Sequence, residues 1–177
     1  MKLKTCKICK TKYEPLRPLQ VVCSPKCGYE YMNKQKQKEW KQRKKKLKEE
    51  LITVQDLMKL AQIAFNAYIR ERDKGKDCIS CGKPLTGKFD AGHYVSSGSC
   101  KALTFDEDNV NGQCVTCNQH LHGNLIKYRQ GILKRYNERT VKRLENHSHD
   151  VRKYTRNELK AITKEYKDKL KQLKLKK

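Results

Sequence analysis

Cys78-Ile-Ser-Cys81-Gly82, then Phe89-Asp-Ala-Gly-His-Tyr94, then Asp106-Glu-Asp-Asn-Val-Asn-Gly-Gln-Cys-Val-Thr-Cys-Asn-Gln-His120: the reading of this chain turns on these three runs. Two Cys-x-x-Cys pairs bracket a segment carrying His93, and Asn118 directly follows the last cysteine. Four thiolates so spaced bind Zn²⁺ tetrahedrally and close both ends of the insert onto one point. The 32 residues between Cys81 and Cys114 exceed the roughly 15–20 of an ordinary zinc-finger loop. A folded element is therefore expected inside the clip, and a β-hairpin carrying His93 fits.

Composition constrains what lies on either side. Of 177 residues, 36% are hydrophobic and 34% charged, so apolar burial alone will not hold the whole chain together. Small domains in that position rely on metals or disulfides. Eight of the nine cysteines form four close pairs, Cys6/Cys9, Cys23/Cys27, Cys78/Cys81 and Cys114/Cys117. No apolar leader follows Met1, so the cytoplasm is the expected setting and metal is favoured over disulfide. Zn²⁺ is expected at two structural sites. No apolar run approaches the roughly 18 residues of a membrane span. The formal net charge is +23, from 42 Lys and Arg against 19 Asp and Glu. A charge that large on so short a chain points to a polyanion, with nucleic acid first. Anionic lipid would need an amphipathic basic helix with aromatic anchors, and the basic stretch here is too uniformly polar.

The expected fold class is small, zinc-stabilised α+β, in three parts. Residues 1–32 read as a four-cysteine zinc module, with a short hairpin through Tyr13 and Val21-Val22 and a helix opening at Gly28. Residues 33–52 read as a basic linker, a solvated helix or a tether, whose Trp40 packs on a neighbour or stacks on a base. Residues 53–177 hold the central clip with its packing helices. Thr53 is expected to cap a helix whose Leu57, Leu60/Ala61, Ala64/Phe65 and Tyr68 repeat at helical spacing, ending at Gly75. After Cys117 a helix is expected with Leu125, Ile132/Leu133 and Tyr136 inward, then a short one capped at Thr140. His147 and His149 belong to a solvated loop at 145–150. Thr155 and Glu158 form a capping box opening a last helix, whose apolar stripe docks on its own domain or pairs across a dimer.

Cutting a phosphodiester takes a base to activate water and positive charge beside the leaving oxygen. Asp90 and His93 put a carboxylate and an imidazole on the presumed hairpin. Asn118 opens the next helix, so its side-chain oxygen would face the same cleft as His93. Oxygen ligands such as Asp90 and Asn118 suit Mg²⁺ or Mn²⁺, distinct in kind from the thiolate-held Zn²⁺. His120 could reach the phosphate or complete that metal shell. His122 reads as surface and Cys100 as a spare thiol. Strand alternation sends Asp90 and His93 to opposite faces unless a bulge re-aims one.

These motifs together resemble the HNH (ββα-metal) nucleases. The resemblance implies a ββα-metal core, His93 as general base, Asn118 as catalytic-metal ligand and Asn109 as the brace behind the base. One position departs: many such sites carry a carboxylate or a second His directly before the base, where this chain has Gly92. A more specific resemblance runs through most of the chain. Ala64-Phe-Asn-Ala-Tyr-Ile-Arg-Glu-Arg-Asp73, the Cys78 and Cys114 motifs, Asp90-Ala-Gly-His-Tyr94, Gly123-Asn-Leu125 and Cys23-Ser-Pro-Lys-Cys-Gly28 are similar to the phage lambda NinG (Rap) recombination family. It implies a structure-specific endonuclease acting on branched DNA, such as Holliday junctions and D-loops, in phage recombination. Two symmetric cuts in a junction and the C-terminal stripe suggest a homodimer, and other recombination proteins are further expected partners. The competing class is a non-catalytic zinc protein that binds branched or single-stranded nucleic acid as a recombination accessory. Charge and cysteines serve both; only His93, Asn118 and Asn109 separate them.

Overall fold

The structure is a computed structural model and describes residues 3–175. It divides into two compact units, Met1–Ile52 and Thr53–Lys177.

In the first unit β1 (Lys4–Thr5) pairs antiparallel with β2 (Lys12–Tyr13), Lys4 opposite Tyr13. The expected hairpin from Tyr13 to Val21-Val22 is therefore not formed. Pro15 and Pro18 lie between those segments and have no N–H to give a ladder; Lys7 N–H reaches Val21 C=O instead, at 3.0 Å. Helix α1 (Pro25–Leu51) starts earlier than Gly28, because Ser24 caps it by accepting from Cys27 N–H and Pro25 sits in its first turn. It then runs unbroken for 27 residues with none buried. The basic run is thus a solvated helix continuous with the second cysteine pair, not a separate tether.

The second unit opens with α2 (Val54–Arg72), where Thr53 and Asp56 complete a capping box. Its buried stripe, Leu57, Ala61, Ala64, Phe65 and Ile69, faces α5 (Arg156–Leu175). Thr155 and Glu158 form the second capping box, at the start of α5. Phe65 meets Tyr166 edge-to-face at 4.7 Å; burying a ring of that size stabilises by about 1.5–3 kcal/mol. Between these helices and the rest lies a regular hairpin, β3 (Phe89–His93) against β4 (Val110–Cys114), with Phe89 opposite Cys114 and His93 opposite Val110. One face, with Ala91 and Val110, packs into the α2–α5 core.

Beyond β4, Thr116–His120 makes a single π-helical turn. His122, Gly123 and Asn124 then all take positive φ, which ends it. Helix α3 (Leu125–Arg135) therefore starts later than its apolar pattern implies. Leu125 is half exposed, and Tyr128 and Ile132 are the buried pair. Helix α4 (Glu138–Asn146) is capped by Asn137, whose Oδ1 accepts from Thr140 N–H; Thr140 lies inside the first turn. Val141 and Leu144 close a second core with Ile79, Leu103, Tyr128 and Ile132. Among the described residues no helix is long and apolar enough to cross a membrane.

Candidate active site

The two cysteine quartets come together as the spacing implies. Within Cys6/Cys9/Cys23/Cys27 and within Cys78/Cys81/Cys114/Cys117, all Sγ atoms lie within 4.8 Å of one another. Four sulfurs about 2.3 Å from one tetrahedral Zn²⁺ sit about 3.8 Å apart. Cys81–Cys114 is 3.8 Å, Cys23–Cys27 3.7 Å and Cys9–Cys23 3.4 Å. All are far beyond the about 2.05 Å of a disulfide. Backbone N–H groups of Cys114 and Cys117 point at the sulfurs of Cys78 and Cys114, and Asn124 Nδ2 points at Cys117. Such donors fit thiolates. Both sites therefore fit Zn²⁺ in geometry and donor set. Cys100 belongs to neither; its thiol is buried against the carbonyls of His147 and Asp150.

The second quartet pins the π-helical turn to the end of β4, which brings Asn118 to the hairpin. Asn118 Nδ2 donates to Asp90 Oδ2 at 2.9 Å, and Gln119 Nε2 donates to the same oxygen at 2.8 Å. Asn118 thus meets Asp90 directly, and the expectation that it shares a hollow with His93 needs correction. The β3–β4 register is continuous, with no bulge, so alternation puts Asp90 and Gly92 on one face and Ala91 and His93 on the other. A carboxylate and an amide in contact can both turn oxygens to a hard cation. The donor set fits Mg²⁺ or Mn²⁺ with two protein ligands.

Gly92 is buried, and a Cβ there would lie 2.1 Å from Gln113 Oε1. No carboxylate side chain fits at that position while Gln113 holds its place. Asp90, two residues earlier on the same face, is the nearest strand position that can supply one. Gln113, which sequence reasoning passed over, is wholly buried and ties three pieces together. It pairs across the sheet with Asp90, and its Nε2 donates to Ser80 Oγ and to Gly123 C=O. Its Oε1 has no hydrogen-bond partner.

His93 is oriented by the loop that joins the two strands. Its Nε2 lies 3.2 Å from Thr104 C=O. A carbonyl only accepts, so this nitrogen carries the proton and the other ring nitrogen holds the lone pair of a neutral ring. Burial pushes the imidazole pKa below its ordinary value, against opposing backbone contacts from Thr104 and Ala91. The ring is therefore neutral, and able to accept a proton, near pH 7.

Asn109 holds that loop. Wholly buried, it accepts from Val95 N–H at 2.8 Å and donates to Val95 C=O at 3.0 Å and Leu103 C=O at 2.9 Å. Both sides of the loop just after His93 are thereby stapled. Tyr128 OH adds a bond to Gly92 C=O. His120 and His122 are exposed and bond to none of Asp90, His93 or Asn118. His147 pairs with Asp150 at 2.7 Å.

A charged clamp, also missed from sequence, fixes α2 to the hairpin. Asp73 is fully buried between Arg72 (2.8 Å), Lys76 (2.9 Å) and Gly112 N–H (2.8 Å). Burial would raise its pKa, but Arg72, Lys76 and the Gly112 N–H together hold it at about 2.

These features define a class: a small α+β protein with two four-cysteine clusters, the second of which brings Asn118 to Asp90 on a hairpin whose other face carries His93. Over residues 1–176 the chain matches the family model described as Bacteriophage Lambda NinG protein. It is 37% identical over 183 residues to protein ninG of Escherichia phage lambda, covering 93% of this chain and 89% of that protein. Protein ninG of Salmonella phage P22 is 38% identical over 183 residues, covering 93% and 90%. For Escherichia phage 933W the values are 36% over 186 residues, 95% and 92%. The chain belongs to the NinG family. No solved structure matches it.

Proposed function

We propose that this NinG-family protein is a metal-dependent endonuclease of the HNH (ββα-metal) type, cutting branched DNA such as Holliday junctions and D-loops during phage recombination in the host cytoplasm. The observation that carries the reading is the Asp90–Asn118 contact at 2.9 Å, on the same five-residue strand as a neutral His93. A binding protein has no use for that set, nor for burying Asn109 to brace the loop behind an imidazole. Asp90 and Asn118 would hold Mg²⁺ or Mn²⁺, which when bound stabilises charge on the leaving oxygen. His93 takes the proton of the attacking water. Thr104 C=O holds the ring by its Nε2 side, and Asn109 keeps the loop from Val95 to Leu103 in place. The thiolate cluster sets the distance between hairpin and π-helical turn. The +23 charge supplies phosphate affinity without sequence readout. Two symmetric cuts in a junction call for two copies of the chain, and recruitment of other recombination proteins belongs to the same proposal.

The test is single-turnover cleavage of an end-labelled four-way junction with Mg²⁺ or Mn²⁺, comparing wild type with His93→Ala and Asn118→Ala. Wild type cuts; both variants keep junction affinity and lose cutting by at least about 10²-fold. Tight binding without nicking by the wild type would hand the case to the accessory-protein reading.

A further inference from the structure

A cavity of about 630 Å³ opens on the second unit between α3 and the Cys78–Gly82 knuckle, and its chemistry is that of an anion site. Lys127, Gln130 and Lys134 line one wall at the three- and four-residue spacing that puts them on one face of α3. The other wall is the knuckle, including Ser80, and Lys76 and Arg135 stand at the rim. Gly131 lets the walls meet: a Cβ there would come within 1.8 Å of Ile79 C=O.

The four cations are not equivalent. Lys76 and Arg135 are held by the buried carboxylate of Asp73, at 2.9 and 3.7 Å, and Arg135 also donates to Asp77 C=O. They are thus pre-placed. Lys127 and Lys134 are exposed and have no ion pair among the described residues. Two anchored and two unpaired cations in one concave site, against the carboxylate of Asp77 and the cluster sulfurs of Cys78 and Cys81 in the knuckle wall, fit a phosphate group.

We propose that this pocket binds a backbone phosphate of the DNA other than the one addressed by Asp90 and Asn118. Ser80 in the pocket wall accepts from Gln113, which pairs with Asp90 across the sheet. One rigid connection thus sets the spacing between the two phosphate positions. The inference rests on the DNA-binding part of the reading above and is independent of cleavage.

The test uses the full zinc-loaded chain, with equilibrium binding to a fluorescent four-way junction measured in EDTA-free, Mg²⁺-free buffer from low to high salt. Lys127→Gln/Lys134→Gln is compared with wild type and with Lys160→Gln/Lys164→Gln, a pair of exposed lysines on α5 removing the same charge. Zinc content and thermal midpoint of the pocket variant are expected to equal wild type. Each lost phosphate contact lowers the slope of log affinity against log salt by about 0.9, so the pocket variant, which loses one, drops by about that much, and affinity falls on the order of tenfold near 0.1 M salt. The α5 pair shifts the slope by far less. Equal losses in both variants, no loss in either, or no DNA binding by wild type would each overturn the pocket. Wild-type binding without cutting would overturn only the nuclease reading.

Discussion

The two cysteine quartets fit the same kind of ion but stand in opposite relation to the rest of their units. In residues 3–52 Cys6 is buried, yet no aliphatic or aromatic side chain is, and α1 buries nothing. The first quartet has no apolar core behind it. The second closes a hairpin that Phe65, Ile69, Val110 and Tyr166 hold from one face, while the Tyr128–Ile132–Leu144 cluster packs the helices that follow. Where a core exists, a metal is released from holding the fold and can set the spacing between Asn118 and Asp90. Where none exists, the metal is the core.

That contrast breaks most readily under chelation. Structural zinc is worth about 10–16 kcal/mol in finger-sized units, far beyond what the first unit can replace. Stripping zinc should abolish amide-exchange protection across residues 4–27, while α2 and α5 amides around Phe65 and Leu159 stay protected. Equal loss in both units would erase the distinction. The next largest effect belongs to the second unit alone. Asp73→Ala leaves the buried Gly112 N–H without a partner and takes from Arg72 its buried counter-charge, leaving it carbonyls, Asn111 and a longer pair with Glu107, and should cost about 3–5 kcal/mol by denaturant titration, with zinc content unchanged. A loss below about 1 kcal/mol would mean that the clamp is ornamental.

Much of this was legible beforehand, for reasons that differ by residue. The quartets, the hairpin around His93, the Thr53 cap and the Thr155–Glu158 capping box rest on local spacing, which survives any tertiary context. Leu125 and Thr140 were misread because helix starts depend on backbone conformation. The positive φ of His122, Gly123 and Asn124 delays α3, and Asn137 outcompetes Thr140 as cap. Asp73 and Gln113 were invisible for another reason. Their partners lie 39 residues (Gly112) and 33 residues (Ser80) away in sequence, and no periodicity marks a polar residue that a fold has buried. The placing of Asn118 was half right. The cysteine clip brings it to the hairpin, but continuous register assigns it to Asp90 rather than to His93.

Smaller effects sharpen the account of the second unit. Gly131→Ala drives a Cβ into Ile79 C=O and should cost about 1–3 kcal/mol as overpacking, lowering the thermal midpoint without touching the first unit. Smaller still is a shift along the pH axis. A base must be neutral to act, and burial depresses the His93 pKa below 6.5. The cleavage rate should therefore rise with pH through a midpoint below 6.5 and be flat above it. A midpoint above that value would mean that His93 meets a partner other than Thr104 C=O.

The central claim is that a thiolate clip seats Asp90 against Asn118 to make a hard-cation site on the hairpin that carries His93. Manganese binding to the zinc-loaded chain, followed by electron paramagnetic resonance, tests it without reference to activity. Wild type should take up Mn²⁺ at a site that Asp90→Ala and Asn118→Ala each weaken at least tenfold, while His93→Ala leaves it intact. Unchanged manganese uptake in the Asp90 and Asn118 variants, with zinc still in place, would contradict the account.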